Sequence, residues 1–322
     1  MPRAREDSEV EITSCKREDS EVEITPRKRE DSEVEIMLKR NITSFTLIAI
    51  LCFFIFFTRR YCVYSLDAII LLFLIAGGYE MFGALKKAGN NPLLVPLILF
   101  GVFVYPLFFF LREAGILVAL IISAMTLLGQ FTFCRHYTLA DAGATFMTLL
   151  YPMTFVAMFF SINNYAGNLL GILMILVVSL FADTFALFIG LMFGKHKLCP
   201  EISPKKTIEG AIGGFLGAFI GAAALLLLFD VFRVFDATPN IGITHLSENI
   251  GISIGLYAAL AVIIATASEI GDLVASRIKR AAGIKDYGKV FPGHGGVMDR
   301  LDSLIFTMPA VYVFFLIFNV AM

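Results

Sequence analysis

The chain has 322 residues, of which 58% are hydrophobic and 16% charged, and its mean hydropathy is +0.80. A soluble domain carries about a quarter charged residues, so this composition excludes an ordinary soluble enzyme. Thirty-two Phe with no Trp point to lipid as the solvent. The formal net charge of -1 conceals an asymmetry, with 7 Lys/Arg against 12 Asp/Glu in residues 1–36 and 19 against 15 in residues 37–322.

Residues 1–36 hold a period-12 repeat, in which Arg-Glu-Asp-Ser-Glu-Val-Glu-Ile starts at Arg5, Arg17 and Arg29. It is rich in charge and poor in large apolar groups, so a disordered tail is expected, too short for a solenoid. Met37-Leu-Lys-Arg-Asn-Ile-Thr then makes a self-sufficient start. The tail is read as non-native or dispensable, and residues 37–322 as one membrane-embedded domain. Five cysteines without a C-x-x-C pair suggest neither a disulfide framework nor zinc.

The remainder predicts an all-α polytopic integral membrane protein, because a spanning helix needs about 20 mostly apolar residues. About nine spans fit, near 43–58, 64–82, 93–111, 114–134, 140–161, 167–193, 208–230, 249–275 and 303–321. Lys39, Arg40, Lys86, Lys87, Arg135, Lys195, Lys197, Lys205 and Lys206 fall on one side of that arrangement, as do the basic residues after the eighth span. The excess of basic residues there predicts a cytoplasmic N-terminus and places both polar loops on the cytoplasmic face.

Some residues do not belong in lipid. Asp183 lies deep in the sixth span, and Glu269 and Asp272 lie in the eighth. A carboxylate at the bilayer centre costs about 2.5–3.5 kcal/mol on insertion scales, so such groups face a cavity or a partner. Asp272, Ser276, Lys279 and Arg280 stand at i, i+4, i+7 and i+8, sharing a face if the eighth helix continues past the membrane surface. After it come Lys285, Asp286, Pro292-Gly-His294-Gly-Gly296, Asp299, Arg300 and Asp302. Lys and Arg supply cations for phosphate. Asp299 and Asp302 are three apart, on one face if the ninth helix begins there. Hard oxygen ligands beside cations suggest magnesium, usually held by one or two carboxylates together with phosphates and water. A second loop, with Lys195, Lys197, Ser203, Lys205, Lys206 and Thr207 before a helix start, suits a phosphate cradle.

The run Ser276-x-Ile278-Lys-Arg-x4-Lys285-Asp-x-Gly288-x2-Phe291-Pro-x-His294-Gly-Gly-Val297-x-Asp299-Arg-Leu-Asp302 resembles the signature of the phosphatidate cytidylyltransferases, or CDP-diglyceride synthases. Gly194-Lys-His-Lys-Leu and Ile202-Ser-Pro-Lys-Lys-Thr-x-Glu-Gly210 resemble that family's second motif. The resemblance covers about 37–322; Glu269 stands where Gln is expected in many members. It implies transfer of CMP from CTP to phosphatidate, with magnesium, a second cation such as potassium, and a homodimer in the inner (cytoplasmic) membrane. By match, Asp272 and Asp299 would be metal carboxylates, while Lys285, Asp286 and His294 would belong to the reaction site.

A phosphate monoester has a second pKa of roughly 6, so the nucleophile arrives ionised and needs no strong base. Asp272 and Asp299 are therefore assigned to metal, with Asp302 a further metal candidate and Asp183 either a further ligand or part of the cavity lining. Lys205, Lys206, Thr207, Ser276, Lys279 and Arg280 are assigned to substrate, with Arg300 at the reaction centre beside Lys285, Asp286, His294 and Asp299. Membrane lipid, CTP and phosphatidate are the expected partners, and no nucleic acid. The rival readings are a membrane transporter and a CTP-dependent polyprenol kinase.

Overall fold

Eight of the nine expected spans are helices in the computed structural model, which describes residues 64–164, 168–236, 245–288, 290 and 295–321. The repeat tail, the expected span at 43–58 and His294 lie outside the described residues.

In chain order the helices are α1 Tyr64–Lys87, α2 Leu94–Leu111, α3 Glu113–Phe133, α4 Leu139–Asn164 and α5 Leu169–Phe193. A two-stranded hairpin follows, β1 Lys197–Cys199 and β2 Ser203–Thr207. It leads into α6 Ile208–Val231, then α7 Ile250–Ala281, the short α8 Met298–Leu301 and α9 Leu304–Ala321. Seven of these, α1 to α7, are long and apolar enough to cross a membrane, and α9 carries a shorter apolar stretch.

Local chemistry sets the helix ends. Thr138 and Asp141 form a reciprocal capping box at the start of α4, satisfying backbone donors that the first turn cannot. The Asn249 side chain accepts from Gly251 N at the start of α7. At its other end α1 stops after Lys86 and Lys87, where Gly89 takes φ +91°. α4, α5 and α6 each contain a π turn, at Leu149–Thr154, Met174–Val178 and Leu227–Val231. Such bulges realign a helix face and occur often at functional sites.

The helices are not equivalent. In the apolar stretch of α4, 72% of the residues are buried, against 22% in α3. α4 is thus the centre of the bundle, and α3 turns most of its surface outward, as expected of a helix solvated by lipid. The core runs through Leu74 and Met81 of α1, Phe160 of α4, Ile264 of α7 and Phe315 of α9. α5 packs along α6, and α7 lies between α6 and α9.

α7 runs past the expected end near 275 to Ala281, which keeps Asp272, Ser276, Lys279 and Arg280 on one continuous helix. The last span does not begin at Asp299, as its pairing with Asp302 on one face of that span supposed. α8 ends at Leu301, and α9 starts at Leu304. Asp302 lies between them as the cap of α8, and its Oδ1 accepts from Ser303 N at 2.9 Å.

Candidate active site

A cavity of about 720 Å³ opens between α5, the hairpin, the start of α6, α7 and the α8–α9 corner. Its acids are Asp183, Glu269, Asp272 and Asp302; its cations are Lys197, Lys205 and Lys206; Thr207 and Ser303 add hydroxyls. Residues from four separate segments, more than 100 positions apart at the extremes, therefore meet in one polar chamber set among apolar helices.

The hairpin exists to deliver the lysines. β1 and β2 pair antiparallel, with Lys197 opposite Thr207 and Cys199 opposite Ser203. Thr207 Oγ1 accepts from Gly210 N at 3.1 Å and caps α6, tying the strand to the helix. Glu209 closes the preceding turn by accepting from Lys195 N and His196 N, with His196 Nδ1 at 2.6 Å. Arg280 Nε donates to Ile202 O at 3.3 Å and fastens the hairpin tip to α7.

Lys206 is the central cation. Its Nζ lies 2.7 Å from Asp272 Oδ2 and 3.0 Å from Glu269 Oε1, with the side chain 21% exposed. Burial alone would depress its pKa, but Asp272 and Glu269 together hold it above the usual lysine value. Ser276 Oγ donates to Asp272 Oδ1 at 3.4 Å, and Ser268 Oγ donates to Asp183 Oδ1 at 3.0 Å. Burial, and then the Asp272 carboxylate, push the Asp302 carboxyl up to about 7. Gly271 permits this closeness, since a Cβ there would stand 2.6 Å from Asp302 O.

The second basic position on α7 serves a different acid. Lys279 Nζ pairs with Asp299 Oδ1 at 3.0 Å. Asp299 Oδ2 accepts from Tyr287 N at 2.8 Å and Gly296 N at 3.0 Å. Asp299 is thus surrounded by donors and does not line the cavity. Tyr287 OH donates to Ala275 O at 2.9 Å, pinning the loop to α7. Lys285, Asp286 and Arg300 are exposed.

Of the residues singled out from sequence, the structure gathers Asp183, Asp272, Asp302, Lys205, Lys206 and Thr207 around one chamber. It sets Lys279 and Asp299 beside it as a pair, and leaves Lys285 and Asp286 exposed on the loop and Arg300 exposed on α8. Glu80 of α1 was not anticipated: its carboxylate accepts from Val297 N at 3.0 Å and Met298 N at 2.8 Å. The rule that picked out Asp183, a carboxylate inside an apolar run, would have found it.

The donor set suits a hard dication. Among the described residues no group of three His, Cys, Asp or Glu side chains is placed to hold a metal by itself. Magnesium does not require such a cage, because it usually takes one or two carboxylates and completes its shell with phosphate oxygens and water. The chemistry of the chamber is therefore that of an anionic floor beneath a lysine-bearing hairpin, suited to a metal–phosphate ligand.

The family model described as "Cytidylyltransferase family" matches residues 38–318. Among curated proteins, a phosphatidate cytidylyltransferase of Staphylococcus aureus (strain COL) is 32% identical over 179 residues, covering 56% of this chain and 61% of that protein. The phosphatidate cytidylyltransferase of Bacillus subtilis (strain 168) is 28% identical over 252 residues, covering 76% of this chain and 87% of that protein. The match thus spans about 61% of the length of the Staphylococcus relative and most of the Bacillus one.

Proposed function

The chain belongs to the cytidylyltransferase family, and on that premise we propose that it transfers CMP from CTP to phosphatidate, giving CDP-diacylglycerol and pyrophosphate. The observation that carries this reading is the chamber itself, in which four carboxyls and three lysines converge beside apolar helices. A lipid phosphate and a nucleotide triphosphate are both polyanions. Bringing them together requires metal and fixed cations more than a base.

A phosphate oxygen of phosphatidate attacks the α-phosphorus of CTP. A new P–O bond forms there, the bond to the β-phosphate breaks, and pyrophosphate leaves with the electron pair. One or two of the carboxylates of Asp183, Asp272 and Asp302, completed by phosphate oxygens and water, would hold magnesium, which would supply positive charge to the phosphates. Lys205 and Lys206 on the hairpin face the departing phosphates. Lys206 begins in an ion pair with Asp272 and Glu269, so it exchanges those partners for phosphate when ligand enters. Asp299 and Lys279 keep the signature segment in register, while Lys285, Asp286, His294 and Arg300 are assigned to the reaction site by the family resemblance. A second cation such as potassium, a homodimer, and a chamber facing the cytoplasm across an inner membrane belong to the same proposal. They are supported by the family resemblance and by the bias of Lys and Arg to one set of loops.

The rival readings predict different products. Purified protein in phosphatidate-containing vesicles, given magnesium and CTP labelled at the α-phosphate, is expected to move label into lipid. Label entering lipid from the γ-position instead would indicate a kinase, and label in neither case would favour a transporter.

A further inference from the structure

We propose that Glu80 is a positioning residue for this reaction, holding the start of α8 from α1 and thereby setting Asp299, Arg300 and Asp302. The inference rests on the cytidylyltransferase reading above and concerns a helix that contributes nothing to the lining of the chamber.

Glu80 is 6% exposed. Its Oε1 accepts from Val297 N and its Oε2 from Met298 N, across 217 and 218 positions of sequence. Both oxygens are thus engaged by consecutive peptide N–H groups. The loop is shaped around this carboxylate, since a side chain at Gly288 or at Gly296 would run into it. One turn earlier on the same face of α1, a Cβ at Gly77 would stand 3.4 Å from Met298 Sδ, so the helix also leaves room for the residue that Glu80 binds.

The adjacent N–H, that of Gly296, donates to Asp299 Oδ2. Three successive N–H groups are therefore divided between two carboxylates, one on α1 and one on α8. Four residues beyond Met298, Asp302 enters the chamber. Asp67 and Asp230 tie parts of the scaffold to one another, Asp67 through Asn163 and Asn164 and Asp230 through Tyr257. Glu80 ties the scaffold to the segment that carries the chemistry. Its two oxygens are each met by a peptide N–H dipole. Glutamine cannot replace it, because its NH₂ would face one of the two N–H donors.

The test is Glu80→Gln, with Glu80→Ala as the second variant, in phosphatidate vesicles. The expected result for Glu80→Gln is a kcat lower by about 100-fold, as for a small misplacement of reacting groups, with KM for phosphatidate unchanged. Amide exchange should accelerate at Val297 and Met298 while the core of α1 stays protected. Glu80→Ala should show the same pattern with faster exchange at both amides. An unchanged kcat would overturn the proposal, and so would a fall in kcat accompanied by faster exchange throughout α1 and α4, which marks a purely structural role. The wild-type protein in the same assay reports on the cytidylyltransferase reading itself, so failure of that reading is told apart from failure of this one.

Discussion

Asp230 and Asp272 are both carboxylates on largely apolar helices, but their surroundings differ. Asp230 Oδ1 accepts from Ser253 Oγ at 2.6 Å and from Leu246 N at 3.2 Å, and Oδ2 accepts from Tyr257 OH at 2.7 Å. Every partner is neutral and supplied by the chain, so the group is fully provided for. Asp272 has one hydroxyl at 3.4 Å and an ammonium that it shares with Glu269, and it stands in a cavity with Asp183 and Asp302. A buried acid with its own donors is a fastening. A group of acids that share so few donors is a place suited to a cation.

The most severe break of this comparison is Asp272→Asn. On the proposed reading, loss of a carboxylate that would support metal and that pairs with Lys206 should lower activity on the order of 1,000-fold. Its melting temperature should remain near wild type, because a like charge is removed from the cluster. Steady-state transfer from α-labelled CTP, alongside thermal unfolding in detergent, checks both statements.

Lys206→Met comes next. Charge-assisted hydrogen bonds of this kind are worth about 1.5–3 kcal/mol, so activity should fall between about 10- and 100-fold. KM for CTP should rise, since on the proposed reading the lost group would face the phosphates. An initial-rate series in CTP at saturating phosphatidate measures it.

Asp230→Asn is the converse. It should cost about 1–3 kcal/mol of stability, the range for disrupting a buried satisfied polar group, while activity per folded molecule is retained. Denaturation followed with an active-site-independent probe separates the two quantities.

The smallest effect is one of pH. The Asp302 carboxyl lies near 7 in the folded protein and near 4 in an unfolded chain. Between those values the folded state keeps a proton that the unfolded state has lost, so stability falls as pH rises. Metal-free protein should therefore melt at progressively lower temperature across that window, and Asp302→Asn should flatten the slope.

Much of this was legible in sequence. Continuous apolar runs located the helices, because lipid demands them, and α1 to α7 and α9 stand within a few residues of expectation except for the longer α7. The acids in apolar spans and the clustered lysines were also legible, since both are anomalous beside lipid in the same physical sense. What periodicity does not reveal is how each acid is satisfied. Asp67, Glu80, Asp183 and Asp230 look alike as letters in apolar runs; only the donors around them, brought from far along the chain, divide fastenings from site. Asp299 shows the same limit, because the break at Asp302 and the donors Tyr287 N and Gly296 N are tertiary facts.

The most direct test of that division is binding of Mn²⁺, used in place of magnesium, followed by electron paramagnetic resonance with and without CTP in wild type, Asp272→Asn and Asp230→Asn. Wild type and Asp230→Asn should bind Mn²⁺ in a CTP-dependent manner, and Asp272→Asn should not. Equal binding by Asp272→Asn and wild type would contradict the assignment of the under-satisfied acids to the cation site.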